Sequence, residues 1–229
     1  MDKKSRIKAG LAEALPLAVA IAAYGLSYGV LAVQANLSVA EAVAMSLLVF
    51  SGSVQMVSVA MLTAGAGLTS IFFSSLLLNL RNLLYGAALA EGLAPAKRGR
   101  WLLAFGVSDE PFVLGSARFK RHGPDPLYFG TVVVLFYAAW AFSSFLGAFA
   151  GNQLDPQKWG LDLAFPVTFT ALLLPVLTEK PVIATAAAAA IIALLLEYLR
   201  PGNELTIILS GVSAPWVGLY IQRRKQSHA

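Results

Sequence analysis

Long stretches without a charged residue constrain this chain more than any other feature. They run over residues 14–40, 42–80, 126–154, 163–178, 181–196 and 205–222. Most are close to or above the roughly 20 residues that a helix needs to cross the hydrocarbon core of a bilayer. The composition agrees, because 58% of the 229 residues are hydrophobic and 13% are charged. We therefore predict an all-α integral membrane protein with one transmembrane domain over residues 1–229, flanked by a basic N-terminus (1–10) and a basic tail (222–229).

The chain has few side chains of the kinds that bind metals or act as nucleophiles and bases. The chain has no cysteine, which excludes disulfides and thiolate metal sites. Its two histidines, His122 and His228, lie in a predicted loop and in the tail. We therefore predict no metal site, no cofactor and no catalytic centre. The net charge of +5 sits at the ends of apolar segments, where it orients membrane spans, so nucleic acid is not expected as a partner.

Two segments do not look like ordinary spans, namely FSGSVQM (50–56) and GVSDEP (106–111). If every apolar segment crosses, the positive loop residues divide 11 inside to 5 outside. If both segments instead return to the side from which they entered, the division becomes 14 to 2, which the positive-inside rule favours. The second topology has both termini in the cytoplasm. For residues 40–62 a kinked full span stays open as the alternative, and for 101–117 a solvated loop.

The favoured topology contains about six transmembrane helices and two broken or re-entrant helical segments. The predicted spans lie near residues 12–35, 68–91, 126–150, 161–178, 181–199 and 204–221. GVSDEPFVLG (106–115) and GVSAPWVG (211–218) share Gly-Val-Ser, a proline, an aromatic residue and a final Val-then-Gly pattern. This similarity raises the hypothesis of inverted repeats, a feature of many transporters. The second copy lacks the acidic pair.

An arginine lies inside the apolar stretch LNLRNLLYG (78–86). On a helical wheel Asn79, Asn82 and Gly86 share one face, with Arg81 and Tyr85 beside them and leucines opposite. An arginine in the middle of a membrane costs about 2.5 to 3.5 kcal/mol on insertion scales, so a partner is expected. Two interpretations stay open. Arg81 reaches the interface or forms a structural ion pair, or its guanidinium faces a cavity and binds a carboxylate through two hydrogen bonds.

The natural counter-charges are Asp109 and Glu110. Pro111 disfavours helical geometry at Glu110, so we predict that the chain breaks there. Adjacent residues on a helix point about 100° apart, and we expect Asp109 to be the one that faces inward. Carboxylates at membrane depth can carry a proton or hold an ammonium group. The alternative is a loop beside Arg118 with solvated charges.

The stretch FSGSVQM offers hydroxyls at Ser51 and Ser53, an amide at Gln55 and a flexible Gly52. A helix that begins near Ser53 would direct its N-terminal N–H groups at an anion. The alternative is that these small residues only let helices pack closely. Close packing is also what we predict for Gly25 and Gly29, which form a GxxxG motif.

Three stretches together resemble the hallmark sequences of the AzlC family of branched-chain amino acid permeases. They are FSGSVQM (50–56), LLLNLRNLLYGAALA (76–90) and GVSDEPFVL (106–114), in that order. The resemblance implies export of branched-chain or similar amino acids from the bacterial inner membrane, together with a small hydrophobic AzlD-type subunit. Two points depart from the family pattern. Asn82 replaces a common histidine, which puts a proton role at that position in doubt, and Pro111 lies at a variable point.

We therefore expect a secondary transporter whose substrate is a zwitterion. Its carboxylate would meet Arg81, and its ammonium group would meet Asp109 or Glu110, which could also carry a coupling proton. The residues predicted to bind substrate are Ser51, Gly52, Ser53, Gln55, Asn79, Arg81, Asn82, Tyr85, Asp109 and Glu110. A non-transporting membrane subunit, whose polar residues serve packing and partner docking, is the alternative. An ion pore is disfavoured because no ring of repeated acidic motifs is visible.

Overall fold

The structure is a computed structural model of the chain. It describes residues 2–151, 153, 158, 160, 170, 173–174, 177–200 and 206–227. Every regular element in this part of the chain is a helix, which confirms the predicted fold class. The predicted span at 161–178 falls largely outside the described residues.

The helices are defined by their ends along the chain. They are α1 (Lys3–Gln34), α2 (Val39–Leu48), α3 (Gly52–Thr63), α4 (Leu68–Leu93), the 3-10 helix η1 (Ala94–Gly99), α5 (Arg100–Phe105), α6 (Asp109–His122), α7 (Pro126–Ala150), α8 (Lys180–Leu199) and α9 (Thr206–Ser227).

Four segments are long and apolar enough to cross a membrane: Lys3–Gln34, Leu68–Phe105, Pro126–Ala150 and Lys180–Leu199. Each overlaps one of the predicted spans. Helix α9 covers another, with 22 residues. The total of six crossings, the orientation and the inverted repeats stay predictions.

The first predicted break is present between α2 and α3. These helices have 10 and 12 residues, so neither is long enough to cross a bilayer alone. Phe50 lies between them in the left-handed region, with φ of 43°, which ends the first helix. Its ring packs on Phe105 and Tyr137, at 5.9 and 5.0 Å between ring centroids. The re-entrant path of the α2–α3 pair through the membrane stays a prediction.

The second break lies upstream of its predicted place. Helix α5 ends at Phe105, and α6 begins at Asp109. Pro111, which was expected to cause the break, is the third residue of α6. The first N–H groups of a helix have no partner within the helix, so a proline there sacrifices no hydrogen bond. Asp109 and Glu110 lie in a helix, so the alternative that they lie in a loop is wrong.

The chain folds into two compact units. The first combines Met1–Val59 with Leu78–Ala164, and the second combines Ala60–Leu77 with Phe165–Ala229. In the second unit α8 packs against α9. All of the residues predicted to bind substrate belong to the first unit. The single transmembrane domain stays a prediction.

Glycines bring α1 and α7 together in the first unit. A Cβ atom on Gly29 would lie 2.2 Å from the Ser144 carbonyl oxygen, and one on Gly147 would lie 2.1 Å from the Leu26 carbonyl oxygen. These distances leave no room for a side chain, so the two backbones are in direct contact. The close packing predicted for Gly25 and Gly29 is confirmed, and it occurs within the chain.

A buried carboxylate fastens three elements where α7 begins. Asp125 caps α7 by accepting a hydrogen bond from the Tyr128 N–H group at 3.1 Å. Its side chain also accepts hydrogen bonds from Arg6 of α1 and from Arg118 of α6. Arg118 lies 4.8 Å from the ring centroid of Tyr128, whose hydroxyl donates to Glu13. This set of five side chains joins α1, α6 and α7.

Replacement of Gly29 by alanine tests the contact between α1 and α7. The added methyl group meets backbone atoms that cannot rotate away, so we expect Gly29→Ala to destabilise the protein by about 1 to 3 kcal/mol. Gly211→Ala is the matched control, because a Cβ atom there meets nothing within 4 Å. Thermal unfolding in detergent measures both variants. Equal midpoints would contradict the close contact.

The Asp125 cluster should make stability depend on pH. Burial acts to raise the pKa of Asp125, but hydrogen bonds from Arg6, the Tyr128 backbone and Arg118 outweigh it, so the pKa lies below its usual value of 3.8. A lowered carboxyl pKa stabilises the fold above the unfolded-state pKa, and this contribution disappears as the pH falls through the folded-state pKa.

We therefore expect Asp125→Asn to lower the free energy of unfolding near neutral pH by about 3 kcal/mol, because two arginines lose their buried partner. The difference from the wild type should shrink as the pH falls below about 4. Asp2→Asn, at the exposed N-cap of α1, is the matched control. Thermal unfolding across this pH range measures the effect, and a difference that does not change with pH would contradict it.

Candidate functional site

An ion pair between α4 and α6 forms the centre of the site. Arg81 Nη2 lies 2.8 Å from Asp109 Oδ2. The same nitrogen donates a hydrogen bond to Ser53 Oγ in the first turn of α3. The two charged side chains keep 29% and 23% of their surface exposed, so the pair is not sealed inside the protein. Of the two adjacent acidic residues, Asp109 is the one whose side chain pairs with Arg81.

The second oxygen of the carboxylate is also bound. The Tyr85 hydroxyl donates to Asp109 Oδ1 at 3.0 Å. Its ring stacks on Phe112 of α6, with 4.3 Å between the ring centroids. Tyr85 lies four residues after Arg81, which is about one helical turn, so both reach the same partner. Asp109 is therefore held at both oxygens from one face of α4.

Two asparagines extend this face of α4. Asn79 Oδ1 accepts hydrogen bonds from Ser51 Oγ and from Asn82 Nδ2, each at 3.2 Å. Two buried atoms beside these bonds, Arg81 Nε and Asn82 Oδ1, have no hydrogen-bond partner in the described part of the chain. One is a donor and the other an acceptor. The site thus has one donor and one acceptor that could still form hydrogen bonds. Buried polar groups are seldom left in this state.

The breaks in the chain place helix N-termini at the site. Helix α3 begins at Gly52, close to the predicted Ser53, and α6 begins at Asp109. The N-terminus of a helix carries a partial positive charge, which favours an anion nearby. Asp109 and Glu110 in the first turn of α6 provide such negative charge.

Gly52 fits a narrow space. A Cβ atom there would lie 3.0 Å from the Trp140 ring and 3.0 Å from Tyr24 Cε1. The rings of Tyr24 and Trp140 contact each other edge to face, at 5.4 Å between centroids. Gly52 therefore lets the start of α3 approach α1 and α7 closely.

Tyr24 is a site residue that was not predicted from the sequence. Its buried hydroxyl has no hydrogen-bond partner among the described residues. It lies within electrostatic range of Glu110, Arg81 and Asp109. A signal was available, because Tyr24 and Tyr28 place two phenol hydroxyls one turn apart in the charge-free part of α1.

Gln55 is separate from the hydrogen bonds of Arg81. Its side chain is fully buried. The amide donates to Ser46 Oγ at 3.0 Å and accepts from Trp140 Nε1 at 3.0 Å. It joins α2, α3 and α7, and this geometry assigns it to the support of the site.

Glu110 is half-buried and lies within electrostatic range of Asp109 and Arg81. Its role in proton coupling stays a prediction. In the described part of the chain no three His, Asp or Glu side chains come together in a way that could hold a metal ion.

The opposite face of α4 is apolar and open. Leu80, Leu83 and Leu84 are 46%, 70% and 73% exposed. Leucine side chains exposed to this extent on a membrane-length helix fit contact with lipid. The prediction that α4 has one apolar and one polar side is confirmed.

Comparison with known proteins identifies the family. The model of the family described as "AzlC protein" matches residues 16–154, which include every residue of this site. The chain belongs to the AzlC family. No solved structure matches it.

Curated relatives agree with this assignment. The chain is 27% identical to an "Uncharacterized membrane protein" of Helicobacter pylori over 65% of each chain. It is 26% identical to "Inner membrane protein YgaZ" of Escherichia coli, over 78% of this chain and 76% of that one. It is 24% identical to "Branched-chain amino acid transport protein AzlC" of Bacillus subtilis, over 75% and 70% of the two chains. The first match thus spans slightly less than two thirds of its relative.

Removal of the Gln55 amide should destabilise the support of the site. Gln55→Leu keeps a similar volume but leaves Ser46 and the Trp140 N–H group without their partner. We expect a loss of about 1 to 3 kcal/mol in the free energy of unfolding, the usual cost of an unsatisfied buried group. Ser116→Ala, which removes an exposed hydroxyl, is the control. Chemical denaturation in detergent measures both, and equal stabilities would contradict the assigned role.

Proposed function

We propose that this protein is a secondary transporter that exports branched-chain or similar aliphatic amino acids. The observation that carries the proposal is the Arg81–Asp109 ion pair, which lies at two helix breaks and keeps part of its surface exposed. Charged side chains within the membrane segments of a protein commonly mark substrate and ion pathways. Membership of the AzlC family supports the amino-acid substrate.

A zwitterionic substrate can take the place of each side chain's partner in this ion pair, and the bound substrate adds no net charge to the site. The substrate carboxylate would bind Arg81, and its ammonium group would bind Asp109, so each charge exchanges one partner for another. Without substrate, the two side chains neutralise each other, which avoids an isolated charge in a medium of low dielectric constant. An amine or a carboxylic acid alone would leave one of them unpaired. The site therefore favours ligands that carry both charges.

Neighbouring groups would complete the carboxylate site. Arg81 Nε is an unused donor that could join Nη2 in a two-pronged contact. Ser51, Gly52 and Ser53 at the start of α3 add hydroxyls and the helix N-terminus. Asn82 Oδ1 is an unused acceptor for the ammonium group. Asn79 positions Asn82 and Ser51 through its hydrogen bonds.

Transport would couple to protons through the acidic pair. Asp109 and Glu110 are adjacent at the start of α6, and protonation of one would relieve their mutual repulsion. Asn82 stands where the family often has a histidine, so that position supplies no titratable group here. Protonation of Asp109 would weaken its hold on the substrate ammonium group and favour release, and the later loss of that proton would restore its attraction to Arg81.

We place the protein in the bacterial inner membrane, with both termini in the cytoplasm. The excess of basic residues on that side in the favoured topology supports this orientation. We also propose a small hydrophobic AzlD-type subunit as its partner, on the basis of the family resemblance.

A second candidate is a non-transporting membrane subunit. One observation favours it, since Arg81 and Asp109 already satisfy each other and join α4 to α6. In that case the pair serves packing alone. The two candidates differ in what the loss of Arg81 should do to folding and to flux.

Amino-acid efflux from vesicles distinguishes them. In a transporter, Arg81→Ala should leave a folded protein in the membrane and reduce leucine, valine and isoleucine efflux by at least about 100-fold, because one ionic partner of the substrate is lost. Arg98→Ala, at an exposed site in η1, is the matched control and should transport normally. The assay includes vesicles with and without a co-expressed small hydrophobic subunit.

Two results would contradict the proposal. One is that none of the three amino acids moves under any condition in the wild type. The other is that Arg81→Ala fails to fold or to assemble in the membrane, while Arg81→Lys, which keeps the charge, restores both, as a role in packing alone would require.

Proton coupling is tested with a pH gradient across the same vesicles. Asp109→Asn and Glu110→Gln each remove one titratable group, so we expect at least one of them to abolish the dependence of flux on the gradient. Gln replaces Glu110 with little change in volume, which separates charge from packing. Unchanged gradient dependence in both variants would exclude these carboxylates as proton carriers.

A further inference from the structure

Two grooves on the outer surface of the first unit share a common wall. The first has a volume of about 550 Å³ and is lined by Lys4, Ile7, Lys8, Leu11, Ala12, Leu15 and Leu135. The second has a volume of about 590 Å³ and lies between α1, α5 and α7. Leu11 and Leu135 line both grooves. The surface therefore presents two adjacent apolar troughs separated by one ridge.

The apolar part of the first groove fits within one lipid leaflet. Lys8 and Leu15 are seven residues apart on α1, which is about 10 Å along a helix. Half of a typical hydrocarbon core is about 15 Å thick. Lys4 and Lys8 lie one turn apart at one end of this groove, and the rest of its lining is apolar. The two lysines thus stand at headgroup level when the leucines lie among the acyl chains.

The charges of Lys4 and Lys8 are not used elsewhere in the described structure. Arg6, on the same turn of α1, is bound to Asp125. Neither lysine has a carboxylate within ion-pair distance among the described residues, and both are exposed. An ammonium pair above an apolar trough complements a ligand with an anionic head and hydrocarbon chains.

Glycine and threonine shape the second groove. Gly130 carries no side chain, which leaves the trough open beside Leu103. The Thr131 hydroxyl donates to the Leu127 carbonyl oxygen at 2.9 Å, so its polarity is satisfied within α7. The lining is consequently apolar along its whole length, as an acyl chain requires.

We propose that this surface is a specific site for an anionic diacyl phospholipid. The phosphate is held by Lys4 and Lys8, and the two acyl chains lie in the two grooves on either side of Leu11 and Leu135. Basic pockets beside transmembrane helices bind anionic lipid headgroups in this way. The inference does not depend on the proposed transport function.

Native mass spectrometry of the purified full-length protein tests the site. The probe lipids are phosphatidylglycerol and phosphatidylcholine with identical acyl chains. We expect Lys4→Gln/Lys8→Gln to weaken phosphatidylglycerol binding about 30-fold, the order of magnitude for two lysines near an anionic surface. Lys3→Gln is the matched control, because Lys3 starts the same helix but does not line the groove.

A second variant tests the acyl-chain grooves independently of the lysines. Leu135→Trp enlarges a side chain on the wall that both grooves share and so narrows both grooves. It should reduce phosphatidylglycerol binding although Lys4 and Lys8 are unchanged. Inorganic phosphate at the same concentration should not displace the lipid, since it has no acyl chains. Equal binding of both lipids, equal loss in Lys3→Gln and the double variant, or displacement by phosphate alone would each overturn the proposal.

Discussion

The ion pair between Arg81 and Asp109 is the interaction on which the organisation of the first unit depends. Arg81 cannot remain unpartnered in a membrane-length helix, because an isolated cation there is costly. Asp109 reaches it because α6 begins at that residue, and α6 can begin there because the chain breaks at residues 106–108. The break between α2 and α3 likewise brings Ser53 to the same guanidinium. Both interruptions in the helices therefore converge on one charge.

The residues around the pair are of two kinds: some hold the helices in place, and others have polar atoms without a hydrogen-bond partner among the described residues. Gln55 is hydrogen-bonded to Ser46 and Trp140, and glycines let the backbones of α1 and α7 come into contact, so these residues hold the helices in place. At the pair itself, Arg81 Nε and Asn82 Oδ1 are left without partners in the described structure. The Asp125 cluster fixes the other end of α6 through Arg118. Helix α6 thus begins with Asp109, which pairs with Arg81, and is held near its end by the ion pair of Arg118 with Asp125.

Much of this arrangement was predictable because it follows from single-residue physics. The lengths of the apolar runs predicted an integral membrane protein. Helical periodicity placed Asn79, Arg81, Asn82 and Tyr85 on one side of α4. The position of the second break was missed, because the rule for proline in a helix interior does not hold in the first turn. The roles of Tyr24 and Gln55 were missed because they depend on which helices pack together, and Trp140 lies 85 residues from its partner Gln55.

Isothermal calorimetry with three related ligands tests the central claim most directly. Leucine carries both charges, whereas 3-methylbutylamine lacks the carboxylate and 4-methylpentanoate lacks the ammonium group. If a zwitterion exchanges partners with Arg81 and Asp109, leucine should bind the purified protein at least about 100-fold more tightly than either analogue. Binding of an analogue as tightly as leucine, or no binding of leucine by a protein that exports it, would contradict the account.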